Sequence, residues 1–140
     1  MRLILALFAC SPLLIGSAAP GRLDVTLAGL RNQSGDIRLC LSHDPRRFPD
    51  CTGDPAARML ATKATSRIVL PDLPAGIYAL AVFHDENRNA RLDTFAKIPR
   101  EGFGFSRNPP VRFGPPQFAQ ARFAIGAGTT SQTIRMRYYL

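Results

Sequence analysis

Six side chains able to move a proton or ligate a metal ion crowd into ten residues of this chain: His84, Asp85, Glu86, Asn87, Asn89 and Asp93. Asp85, Asn87, Asn89 and Asp93 follow the spacing D-x-N-x-N-x-x-x-D, and hard oxygen ligands at alternate positions can wrap one calcium ion. Ala90 stands where such a loop turns on glycine, Ala96 stands where a bidentate carboxylate would close it, and Arg88 and Arg91 lie inside it. The same residues suit a second arrangement, in which Asp and Asn side chains accept hydrogen bonds from the loop's own N–H groups and arginines neutralise the carboxylates. Calcium is therefore the one cofactor the sequence offers, and this alternative competes with it. A different chemistry would pair His84, Asp85 and Glu101 as acid and base of a metal-dependent enzyme, with His43 as a further transition-metal ligand. Ser106 is the nearest nucleophile, but it lacks the strained G-x-S-x-G setting. A third reading needs no reaction. Arg100, Glu101, Phe103, Phe105 and Ser106, with Tyr78, would make an aromatic and basic binding surface, although phenylalanines are as readily core.

These residues need a scaffold, and its pattern is β. Leu73-Pro74-Ala75-Gly76 reads as a turn. Ile77 to Phe83 is apolar on both alternating faces, the signature of a central strand covered on both sides, so Tyr78 and Phe83 should both be buried. Period-2 alternation marks further strands over 23–27, 37–41, 66–70, 118–125 and 133–139, and a seventh over 104–106 or 110–113. Gly35 and Asp36 suggest a hairpin between the first two strands, and Pro55 to Ala64 suggests a short helix. No long helical period competes. The expected fold is all-β: a single antiparallel sandwich of about seven strands, immunoglobulin-like or prealbumin-like, with a small closed barrel as the alternative. Asp85 to Gln117 is long for a connection inside one domain. Phe95, Phe103, Phe105 and Phe113, together with five prolines, should hold it as an ordered excursion packed on the sandwich.

HDENRNARLD, IPREGFGFS, NPPVRFGPP and FAQARF together resemble a family of short exported bacterial proteins known only as a domain of unknown function. The resemblance runs from about Leu23 to Tyr139. The preceding L-P-x-G-x-Y is similar to a turn and strand of transthyretin-like and collagen-adhesin-type sandwiches. The resemblance implies glycine after Asn89 and at position 97; this chain has Ala90 and Lys97 instead.

The rest of the sequence agrees with export. Arg2, the apolar run Leu3 to Ile15 and Ser17-Ala18-Ala19 look like a signal peptide over 1–19, leaving one domain over 20–140. The apolar run is too short to span a bilayer. Removing the leader takes Arg2 and Cys10 with it. The net charge then falls from +8 to +7, and Cys40 and Cys51 remain. An even pair in an oxidising compartment predicts a disulfide, worth roughly 3 kcal/mol by chain entropy. Lys63 and Lys97 are the only lysines, so nearly all the positive charge is arginine. In the periplasm or cell envelope its partners would be an anionic envelope component or another protein, not nucleic acid. The sequence thus points to an exported, non-catalytic binding or structural module that does not span the membrane, with the His84–Asp85–Glu101 enzyme as the rival.

Overall fold

A computed structural model describes residues 16 and 18–140. The expected leader, 1–19, falls almost wholly outside the described residues. The elements run β1 (Gly21–Ala28), β2 (Asp36–Ser42), β3 (Arg58–Lys63), β4 (Arg67–Leu73), β5 (Gly76–Asp85), β6 (Thr94–Phe95), β7 (Ile98–Pro99), β8 (Gly102–Phe105), α1 (Phe118–Ala121), β9 (Phe123–Ile125) and β10 (Gly128–Arg135). One sheet has the order β10-β1-β4. The other has the order β3-β2-β5-β8, with β9 pairing the start of β5, and β6 and β7 form a small hairpin of their own. All strand pairs are antiparallel except β1 with β10, which run parallel. The sheets are open, so the fold is a sandwich and the closed-barrel alternative does not apply.

Alternation explains the layering. Leu23, Val25 and Leu27 of β1, Ile68 and Leu70 of β4, and Ile134 of β10 face Ile37, Leu39 and Leu41 of β2 and Tyr78, Leu80 and Val82 of β5 across one buried core. Both of β5's faces are used, as its two-sided apolar pattern predicts. The opposite face carries Ala79, Ala81 and Phe83 into a second cluster with Phe48, Phe103, Phe105 and Ala121. Tyr78 is buried, whereas Phe83 is only half-buried because it lies under a surface concavity.

Three local expectations are overturned. Strands β1 and β2 do not form a hairpin: each has an apolar face that must meet the same core, so they sit in opposite sheets. The connection 29–35 crosses between the layers, about 10 Å apart in such folds. Gly35, at φ 71°, passes so close to Asp85 and Glu86 that a Cβ would lie 2.1 Å from the Asp85 carbonyl oxygen. Residues 58–63 form strand β3 rather than a helix, since pairing with the β2 edge outweighs the helical propensity of the alanines. Residues 118–125 are not one strand. A single helical turn seats Ala121 in the second cluster, and β9 then carries Phe123 and Ile125 into the main core.

The long excursion is only partly anchored as expected. Phe103 and Phe105 are buried, but Phe95 and Phe113 are exposed. The Gly-Phe alternation of β8 has a packing reason. Its phenylalanines face the second cluster, while its glycines face the chain's end. A Cβ on Gly102 would meet the Tyr138 ring at 2.3 Å, and one on Gly104 would meet Ile134 at 2.5 Å. The main chain of Phe103 exchanges hydrogen bonds with that of Arg137, so the segment after β10 ties one sheet to the other.

Candidate functional site

The acidic loop folds into a clasp at the end of β5. Asp85 is fully buried. Its Oδ1 accepts from the Asn89 amide at 3.0 Å, and its Oδ2 accepts from the Ala90 amide at 2.9 Å and from Arg38 Nε at 2.6 Å. Burial pushes the Asp85 carboxyl up, but the bonds from Arg38, Ala90 and Asn89 outweigh it and hold the group below the usual carboxylate range. Glu101 accepts from the Glu86 amide at 2.9 Å with one oxygen and from the Asp93 amide at 3.0 Å with the other, so it bridges the two ends of the loop. Asp93 takes the side-chain amides of Asn87 at 2.7 Å and Asn89 at 2.9 Å. The Asn87 and Asn89 carbonyls accept from the amides of Asn89 and Arg91. Glu86 is held by Arg31 and by Asn32; the Arg31 bond, opposed by burial, lowers its carboxyl below the usual range.

The proposed calcium ligands Asp85, Asn87, Asn89 and Asp93 are therefore brought together, but as an Asx-turn network whose oxygens are already engaged. Among the described residues no three His, Cys, Asp or Glu side chains gather in a way that could hold a metal ion, and no buried side-chain polar atom lacks a partner. The compensating cations are not those inside the loop. Arg38 from β2 and Arg31 from the β1–β2 connection neutralise Asp85 and Glu86, while Arg88 reaches out to Asp36 at 3.2 Å.

His84, Asp85 and Glu101 do not converge. Alternation along β5 sends His84 and Asp85 to opposite faces. His84 Nε2 lies 2.6 Å from the Ser34 carbonyl and Nδ1 lies 2.8 Å from the Tyr138 hydroxyl. A carbonyl only accepts, so Nε2 donates, and Nδ1, where it carries no proton, accepts from the Tyr138 hydroxyl. Burial raises the Tyr138 phenol, which keeps that donor protonated. Asp85 and Glu101 serve the loop amides described above. His43 is exposed and stacks edge-on to Tyr78, away from this group. Ser106 is fully buried and donates to the Ala121 carbonyl at 2.6 Å while accepting from the Leu80 amide. Arg100 contributes a carbonyl to Arg31. Of the residues expected to bind, only Phe103 and Phe105 reach a concave surface.

That surface is a groove of about 810 Å³ on the outer face of the β3-β2-β5-β8 sheet. Ala81, Phe83, Phe103, Phe105 and the Cys40–Cys51 link lie along its lining; the two cysteines sit at disulfide distance, with 5.8 Å between Cα atoms. The excursion 90–99 and the segment 111–115 form its banks, together with 49–52, β3 and Tyr139. Arg91, Lys97 and Arg112 are exposed around it, and among the described residues none of the three meets a carboxylate within ion-pair distance. The fourth lining cation, Arg38, is committed to Asp85, and the one lining acid is Asp50. Lys97 holds a left-handed backbone at φ 67°, and Ala90 another at φ 65°. These are conformations glycine adopts at lower cost. Sequence reasoning passed over the groove because its parts come from eight separate stretches of the chain. The one legible signal was β5's second apolar face, which needed a cover that the structure supplies only in part.

Comparison with curated proteins and with solved structures returns no match. A family model described as "Uncharacterized protein conserved in bacteria (DUF2141)" matches residues 25–133, from the middle of β1 to near the end of β10. That span holds the clasp's acidic loop, both cysteines and almost all of the groove, and the chain belongs to this family of uncharacterized conserved bacterial proteins.

Proposed function

We propose that this protein is an exported, non-catalytic binding module of the periplasm or cell envelope, and that its groove is the binding surface. The observation that carries this reading is the contrast in satisfaction. The clasp leaves none of its buried polar atoms unpartnered, whereas the groove presents apolar lining residues beside three unpaired cations. Its volume of about 810 Å³ lies within the range of about 300–1,000 Å³ usual for small-molecule sites. The basic rim favours an anionic envelope component over a neutral partner. Export is supported by the leader-like residues 1–19 and by the Cys40–Cys51 pair at disulfide distance. Among the described residues no helix is long and apolar enough to cross a membrane. The rival enzyme draws no support from His84, Asp85 and Glu101, each of which holds a neighbouring segment in place.

The test is a titration of the purified chain with anilinonaphthalene sulfonate, an anionic apolar dye. One saturable site is expected, and it should disappear in Ala81→Trp, which fills the groove over β5. A dye site that survives that substitution unchanged, in a variant with wild-type circular dichroism, would overturn the assignment.

A further inference from the structure

The groove's lining divides by chemistry in a way that narrows its occupant. Phe83, Phe103 and Phe105 lie along it, and all three belong to or pack against the second apolar cluster. Two aliphatic side chains beside it, Met59 and Ile98, remain exposed by 61% and 43%, so apolar surface continues out of the concavity instead of ending at it. Exposed apolar surface gathered around a concavity marks an interaction site more strongly than scattered single residues do. The cations lie on the banks. Arg91 and Lys97 come from the excursion and Arg112 from the facing segment, so positive charge stands on separate banks of one cleft.

The backbone that presents Lys97 is the tight turn of the β6–β7 hairpin. The turn before β7 keeps Ala96 and Lys97 both left-handed, at φ 49° and 67°. Glycine would relieve that strain, yet position 97 carries one of the chain's two lysines at the edge of the groove.

Resting on the reading of the groove as a binding surface, we infer that its occupant is a lipid monomer with one acyl chain and an anionic head. The chain lies along the apolar floor, and the head is met by Arg91, Lys97 and Arg112. A purely apolar ligand would leave three cations without a counter-charge, and a small anion would leave the floor wet. Guanidinium groups grip phosphate or carboxylate in bidentate fashion, and the lysine adds a point charge. A second copy of this chain and a peptide are the competing occupants. Neither is favoured, because three of the four lining cations have no carboxylate partner and Asp50 is the one lining acid: an anionic head answers that charge, whereas a peptide brings no fixed negative charge and a second copy of this chain, at net +8, would repel it.

The experiment displaces the dye from the full mature chain with three probes, each below its micelle concentration: dodecyl phosphate, monolauroylglycerol and glycerol 3-phosphate. Dodecyl phosphate should bind at least tenfold tighter than monolauroylglycerol, and glycerol 3-phosphate should not compete. In the double variant Lys97→Glu, Arg112→Glu, both sites being exposed, the phosphate's advantage should vanish while the affinity for monolauroylglycerol stays within twofold. Equal affinity of the charged and neutral lipids in the unaltered protein would overturn the anionic head and leave the groove as a binding surface. Competition by glycerol 3-phosphate as strong as by dodecyl phosphate would overturn the acyl chain. Failure of every probe, with the dye site also insensitive to Ala81→Trp, would overturn the groove reading itself.

Discussion

The clasp and the groove lie close together on one sheet and spend their polar groups in opposite ways. The clasp holds the denser chemistry: four carboxylates and two asparagines. Yet Asp85, Glu86, Asp93 and Glu101 are all answered by amides or arginines of the same chain. The groove holds plainer residues and leaves them open: apolar floor, exposed Met59 and Ile98, and three cations without carboxylates. Residue types alone would place function in the clasp. On the reading proposed above it lies instead in the groove, where apolar surface and cations are left for a ligand to meet.

The largest effect should come from cutting the clasp. Asp85→Ala removes the acceptor of two loop amides and of Arg38. The three donors are only part-buried, so each loses about 1 kcal/mol, and a loss of about 3 kcal/mol is expected by urea denaturation. A loss below about 1 kcal/mol would mean that the clasp does not hold the loop. Titration probes the same bonds. Asp85 and Glu86 have folded values below their unfolded ones, so their contribution to stability is complete above the ordinary carboxyl range. It is lost as pH falls from about 4 through the depressed folded values. Urea midpoints should therefore drop steeply below about pH 4, and less steeply in Asp85→Asn. A midpoint that rises on acidification would contradict the assignment.

Glu101→Gln should cost less, about 1–2 kcal/mol, because one oxygen still accepts while the new amide group faces a backbone donor. Ala90→Gly should go the other way. It relieves a left-handed residue while keeping the amide bond to Asp85, and should stabilise by about 0.5–1 kcal/mol in the same measurement. The smallest stability effects belong to the groove's rim. Arg91→Glu and Arg112→Glu, at exposed positions without partners, should each stay within about 0.5 kcal/mol of the parent. If those charges prove as costly as Asp85→Ala, the contrast between the two regions collapses.

Much of the fold was legible because alternation is a local signal. β5's double apolar face, the inward Leu23-Val25-Leu27 set and the end of the chain at Ile134 and Met136 all follow from period 2. Which strand pairs with which was not legible. The parallel β1–β10 pair and the separation of β1 from β2 depend on two faces meeting one core, which no turn residue records. The acidic cluster could be read from its spacing, and so could the Asx-turn alternative. Its true counter-ions, Arg38 and Arg31, could not be read, since each lies more than forty residues from its partner in the chain. Ala90 and Lys97 show the same limit from the other side. Their left-handed backbones persist without glycine because the hydrogen bonds to Asp85 and the β6–β7 hairpin fix the turns around them. The groove was the least legible of all, being an arrangement of distant segments with no motif of its own.

Two melts of one preparation separate the groove from the clasp: the mature chain with millimolar calcium, and the same chain with dodecyl phosphate below its micelle concentration. A ligand that binds the native state alone raises the Tm, and the rise grows with the logarithm of its concentration above Kd. The Tm should rise with dodecyl phosphate, lose that rise in Lys97→Glu, Arg112→Glu, and stay unchanged with calcium. A calcium-dependent rise that Asp85→Asn abolishes, with none from the lipid, would contradict the groove reading and return function to the clasp.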